Sequence, residues 1–154
     1  MKFDEDIRWK QRFQNFRRAF GLLRQALEDR DVESYSELER EGIIQRFEYT
    51  FELGWKTFKD YLEYSGVNID EATPRKIIKE CAVRGIFAAA EIDPQAYLNM
   101  MLERNALSHT YDFERFKQAI LRIKSTHFEQ LEAQYGFFMN KEIEYNEQHW
   151  PERK

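Results

Sequence analysis

The chain has 154 residues, of which 42% are hydrophobic and 16% aromatic. That apolar content excludes a disordered segment and supports one cored domain. A net charge of −4 and a pI near 5.5 argue against a protein that coats nucleic acid non-specifically. The lone cysteine, Cys81, excludes an intramolecular disulfide and a cysteine-based zinc site, and points to a reducing compartment.

Six glycines and three prolines favour long helices over many short strands. The N-terminal MKFDEDIRWK lacks the apolar run of a signal peptide, and no stretch is long enough to span a membrane, so the expected location is the cytoplasm. The charge is uneven. Arg8, Lys10, Arg12, Arg17, Arg18 and Arg24 lie in an acid-free stretch, followed by seven acidic residues between Glu28 and Glu41. A local basic surface is therefore compatible with an acidic total.

The first predicted helix runs from about Asp6 to Asp29. Its stripe is Trp9, Phe13, Phe16, Phe20, Leu23 and Leu27, spaced 4, 3, 4, 3, 4. The second runs from about Glu37 to Tyr64, with Ile44, Phe47, Phe51, Trp55, Phe58 and Leu62 inward and a second apolar line of Tyr49, Leu53 and Tyr61. Ser65-Gly66 closes it. The third opens on Thr73-Pro74 and closes at Gly85, with Ile77, Ile78, Cys81 and Ala82 inward. The alanine-rich stretch Phe87–Glu91 reads as a loosely specified loop.

The fourth helix starts at Asp93-Pro94, with Tyr97, Met100, Met101 and Leu107 inward. The fifth runs from Phe113 to Phe137 behind Asp112. Phe116, Ile120, Ile123, His127 or Phe128, Leu131 and Tyr135 form its stripe. Together these predict an all-α, up-and-down, four-helix-type bundle of about five helices over residues 1–137. Residues 138–154 are expected to be a C-terminal extension or tail, either a helical extension that frays or a tail that docks.

The segment richest in chemistry is Glu103-Arg104-Asn105-Ala106-Leu107-Ser108-His109-Thr110-Tyr111, where the apolar pattern of the fourth helix stops. These residue types suit RNA cleavage without a metal. RNA carries its own nucleophile, the 2′-hydroxyl. An imidazole, here His109, accepts or donates its proton near neutrality. A guanidinium, here Arg104, binds the phosphate oxygens and stabilises added charge. Asn105 or Ser108 can orient the imidazole. A symmetric dimer would double this sparse set. The competing reading of the spacing is an ordinary helix C-terminus, with His109 on the last carbonyls. His127 reads as a satisfied core residue and His149 as a tail residue without a partner. No histidine pair has metal-ligand spacing, and no glycine-rich loop for a nucleotide cofactor is present.

The stretch from Arg104 to Tyr111 resembles the R-x4-H-x-Y signature of the HepT-like branch of the HEPN superfamily, also described as nucleotidyltransferase substrate-binding proteins. Two further blocks, Arg46–Lys56 and Thr73–Glu80, resemble the same family in the same order, and the resemblance covers roughly residues 5–137. It implies a homodimeric helical bundle encoded beside a minimal nucleotidyltransferase. In the toxin–antitoxin form it implies a metal-independent ribonuclease site at Arg104 and His109, silenced when the partner transfers AMP to Tyr111. Such a group adds phosphate charge two residues from His109. A non-catalytic subunit that presents a substrate to the nucleotidyltransferase is the alternative, and a bundle that merely dimerises is a third. The expected dimer face is either the basic side of the first helix or the second apolar line of the second. Family members often carry Trp where this chain has Tyr97.

Overall fold

A computed structural model of the chain describes residues 7–28, 30–109 and 112–150. The long helices are α1 (Arg8–Leu27), α2 (Glu37–Tyr64), α5 (Pro94–Leu107) and a compound helix formed by α6 (Phe113–Arg122), a π-helical turn (Ile123–His127) and α7 (Phe128–His149). Two short helices, α3 (Pro74–Val83) and α4 (Ile86–Ala90), connect α2 to α5. No strand occurs among the described residues.

Helix starts follow their capping residues. Ser36 and Glu39 form a reciprocal capping box at α2, and the side chains of Thr73, Asp93 and Asp112 accept from the first-turn amides of α3, α5 and α6. Gly85, at φ +77°, takes the left-handed position after α3 that a side chain disfavours.

Packing is up, down, up, down. Trp9 of α1 meets Tyr61 and Tyr64 at the far end of α2, so these two helices are antiparallel. The compound helix runs antiparallel to α1, with Phe20 against Phe128 at one end and Lys10 donating to Asn146 at the other. α5 runs antiparallel to α2, placing Tyr97 on Phe58 and Arg104 on Glu52. Every residue of the three predicted long stripes is buried except Phe128 and Tyr135, which are half-buried.

A polar link crosses the centre of this aromatic core. The Tyr97 hydroxyl donates to Gln134 Oε1 at 2.7 Å, and Gln134 Nε2 donates to the Gly54 carbonyl at 2.7 Å. Buried polar groups require such partners. Tyr97, rather than Trp, thus supplies a hydroxyl that Gln134 uses.

Several local readings change in the tertiary structure. Phe87–Glu91 is not loosely specified: it overlaps α4, because Phe87 is fully buried between Phe58 and Tyr97. Of the two expectations for the residues after Phe137, the last helix takes the helical extension. It continues to His149, since Phe138 and Tyr145 still have core to bury against. His149 does have a partner: its Nδ1 donates to the Tyr145 carbonyl at 2.8 Å and its ring stacks on Tyr145 at 3.9 Å. The second apolar line of α2 divides. Tyr61 packs on Trp9, Phe137 and Phe138, Leu53 is half-buried, and Tyr49 stays 64% exposed. The basic side of α1 shrinks too, because Lys10 is buried against Tyr145 and Arg12 pairs with the buried Asp60 at 3.0 Å.

Candidate functional site at the C-terminal end of α5

α5 ends at Leu107, where the chain turns toward α6. The N–H and hydroxyl of Ser108 both donate to the Arg104 carbonyl, at 3.2 and 3.1 Å, satisfying an acceptor that the helix end leaves open. His109 comes next, in the turn. It is exposed and makes no hydrogen bond or ion pair among the described residues. Tyr111, expected to take the modification, lies outside the described residues.

Arg104 points to α2. Its Nη2 donates to Glu52 Oε2 at 2.6 Å, and its guanidinium lies 5.1 Å from the Phe51 ring centroid. Its Nε is buried with no hydrogen-bond partner among the described residues. Glu52 is also bound by Trp55 Nε1 at 3.0 Å and Lys56 Nζ at 3.2 Å. Burial pushes the Glu52 carboxyl up, but those two hydrogen bonds and the nearby cations outweigh it and hold it below its ordinary value. Glu48, one turn earlier, goes the other way. Burial raises its carboxyl, and the opposing pull of Arg104 and the Ser108 hydroxyl does not overcome that.

Arg104 and Glu52 separate two shallow depressions. One is lined further by Gln45, Glu48 and Tyr49. The other is lined by Trp55, Thr73, Pro74, Arg75, Met101 and Asn105. The structure therefore brings Arg104 and Asn105 to one recess. His109 lines neither depression, and no hydrogen bond joins it to Arg104 among the described residues.

Behind this surface, Glu103 faces the opposite way. Arg122 donates to it through Nε and Nη2, at 2.5 and 2.9 Å, and His127 Nε2 donates at 3.1 Å. His127 is buried against Phe47, and its Nδ1 has no partner among the described residues, so it is satisfied at one nitrogen only. Adjacent residues of α5 are thus held by different helices.

Sequence reasoning singled out Arg104, Asn105, Ser108 and His109 but missed Glu48, Glu52 and Arg75. A signal existed: Glu48 and Glu52 are four apart on α2 and therefore share a helix face, inside the Arg46–Lys56 block. Among the described residues no three His, Cys, Asp or Glu side chains cluster as a metal site would require, and no described helix is long and apolar enough to cross a membrane.

The described residues thus form a four-stave helical bundle in which Glu52 holds Arg104 near the C-terminal end of α5. Residues 11–139 match the model of the family described as nucleotidyltransferase substrate binding protein like, and the chain belongs to that family. It is the HepT-like, HEPN-related family that the three sequence blocks resemble. No curated protein matches the chain.

Proposed function

We propose that this chain works with a minimal nucleotidyltransferase as a HepT-like, metal-independent endoribonuclease that the partner silences by transferring AMP to Tyr111. In this reading His109 removes the proton from the 2′-hydroxyl of RNA, which attacks the adjacent phosphorus. The bond to the 5′-oxygen breaks, and Arg104 stabilises the added phosphate charge. The leaving oxygen needs a proton, which His109 of a second copy in a homodimer supplies. Asn105 and Ser108 support the imidazole. AMP transfer joins the Tyr111 oxygen to the α-phosphorus of ATP, releases pyrophosphate, and sends the phenol proton to solvent. The family membership carries this reading, together with the exposed His109 five residues beyond Arg104.

The test is RNA cleavage by the full chain in EDTA. Cleavage that disappears in His109→Ala, while the oligomeric state is unchanged, supports the enzyme; intact RNA at high wild-type concentration discards it. The switch is tested by mass after mixing the chain with its partner, ATP and magnesium. The expected gain is one or more AMP groups, absent in Tyr111→Phe.

A second reading, a non-catalytic subunit that presents a substrate to the nucleotidyltransferase, draws on one observation. Glu52 already occupies Arg104, so an incoming phosphate has to compete for it.

A further inference from the structure

The Thr73–Glu80 block shares its family resemblance with the other two blocks, yet the proposed chemistry gives it no part. The fold puts it to use. Glu52 and Trp55 come from the α2 block, Thr73 and Arg75 from the start of α3, and Arg104 and Asn105 from α5. All six line one depression. Segments separated by about twenty residues or more in sequence thus converge on a single recess at the surface of the bundle.

The polar groups there are unequally engaged. Lys76 donates to the carbonyls of Asp70 and Glu71, at 3.3 and 3.2 Å, and so holds the loop before α3. The Thr73 hydroxyl accepts from the Lys76 amide and completes the helix cap. Arg75 is exposed and makes no hydrogen bond or ion pair among the described residues. Arg104 contributes a second guanidinium, which also lines the recess and is paired with Glu52 through Nη2.

We infer that this recess binds the phosphate of a nucleotide, with Arg75 and Arg104 as its two cations. Paired guanidinium forks match a tetrahedral phosphate by charge and by direction of their donors. Glu52 does not block the exchange. When Arg104 turns to a phosphate, Glu52 keeps its hydrogen bond from Trp55 and its pairing with Lys56, so no carboxylate is left uncompensated. Asn105, exposed beside Arg104, has an amide to offer the sugar or base. The inference rests on the proposed ribonuclease function only in taking the phosphate to be that of a nucleotide.

The phosphate can come from an RNA strand or from a free nucleoside monophosphate, and binding separates them. A fluorescent, short, single-stranded 2′-O-methyl RNA has no nucleophile and cannot be cleaved at the 2′-oxygen. Its anisotropy is titrated with the full-length protein across a salt series, and AMP is then added as competitor. Arg75→Ala should weaken binding about tenfold and reduce the salt slope by about one. Arg75→Lys should restore the slope. AMP competition assigns the site to a phosphate monoester; RNA binding that AMP does not displace assigns it to the strand. Either supports the site, provided Arg75→Ala weakens it. Absence of binding to both ligands, or binding indifferent to Arg75→Ala, overturns it. Unmodified RNA that binds but stays intact would sink the ribonuclease reading and leave this site standing.

Discussion

The Glu103 carboxylate and His127 Nε2 lie 3.1 Å apart, joining α5 to the π-helical turn of the compound helix. A carboxylate only accepts, so Nε2 carries the proton of this bond, while the buried Nδ1 has no partner among the described residues. A π-helical turn adds a residue to one turn and re-aims the side chains beyond it. Here that turn carries His127 toward Glu103, directly behind Arg104.

This contact predicts a distinct acid limb. Burial pushes the Glu103 carboxyl up, but hydrogen bonds from Arg122 and His127 and the Arg122 charge outweigh it and bring it down to about 2. A carboxyl depressed on folding stabilises the fold above its ordinary value of 4.5. The contribution is lost as pH falls from there through the folded value. Urea midpoints should therefore drop across that window. Glu103→Gln should flatten the drop and cost about 1–3 kcal/mol at neutral pH. A variant with the same acid limb as wild type would refute the assignment.

Two glycines should respond in opposite directions. A Cβ on Gly54 would meet Gln134 Oε1 at 3.0 Å, the Tyr97 hydroxyl at 3.1 Å and Phe16 at 3.3 Å. Gly54→Ala should cost about 1–3 kcal/mol by forcing the central polar link apart. Gly21 lies inside α1 with nothing within 4 Å of the added carbon. Gly21→Ala should stabilise by about 0.5–1 kcal/mol through helix propensity. Thermal melts of the two variants decide the matter, and equal shifts would contradict the packing.

The end of the last helix should be necessary for stability. Phe138 is fully buried and packs within 6 Å of Trp9, Phe13, Phe58, Tyr61 and Phe137 by ring centroid. Phe138→Ala should cost about 3–5 kcal/mol. A chain stopped after Phe137 also loses Tyr145 from over Lys10 and should melt at least as early. A truncated chain with an unchanged melting temperature would show that α7 beyond Phe137 adds nothing to the core.

Removing the carboxylate that holds Arg104 should tighten nucleotide binding. Glu52→Gln keeps a hydrogen-bond acceptor for Trp55 but ends the ion pair. The uncleavable RNA should then bind about two- to fivefold more tightly, the worth of a half-exposed pair. Weaker binding in this variant would mean that Glu52 positions Arg104 rather than competing for it.

Much of the bundle was legible in the chain alone. Apolar residues at three- and four-residue spacing identify the buried faces, and Thr73, Asp93 and Asp112 mark where helices begin. α2 runs from Glu37 to Tyr64, matching the bounds of about Glu37 to Tyr64 expected from its apolar stripe and the Ser65-Gly66 stop. These signals are local, set by a period of 3.6 residues and by amides that the first turn leaves open. The Arg104–His109 segment was visible for a related reason: polar residues gather where the apolar period stops.

Other features depended on which helix faces meet. Lys10 and Asp60 belong to residue types usually found at the surface, and they are buried only because Tyr145 and Arg12 come opposite them. The alanine-rich stretch after Gly85 is helical because Phe87 finds a slot between Phe58 and Tyr97. Nothing in the order of residues places Arg75 near Arg104 or gives Arg104 to Glu52. Local periodicity dictates which side of each helix is apolar, whereas the azimuth and depth at which helices dock decide which charged side chains share a recess.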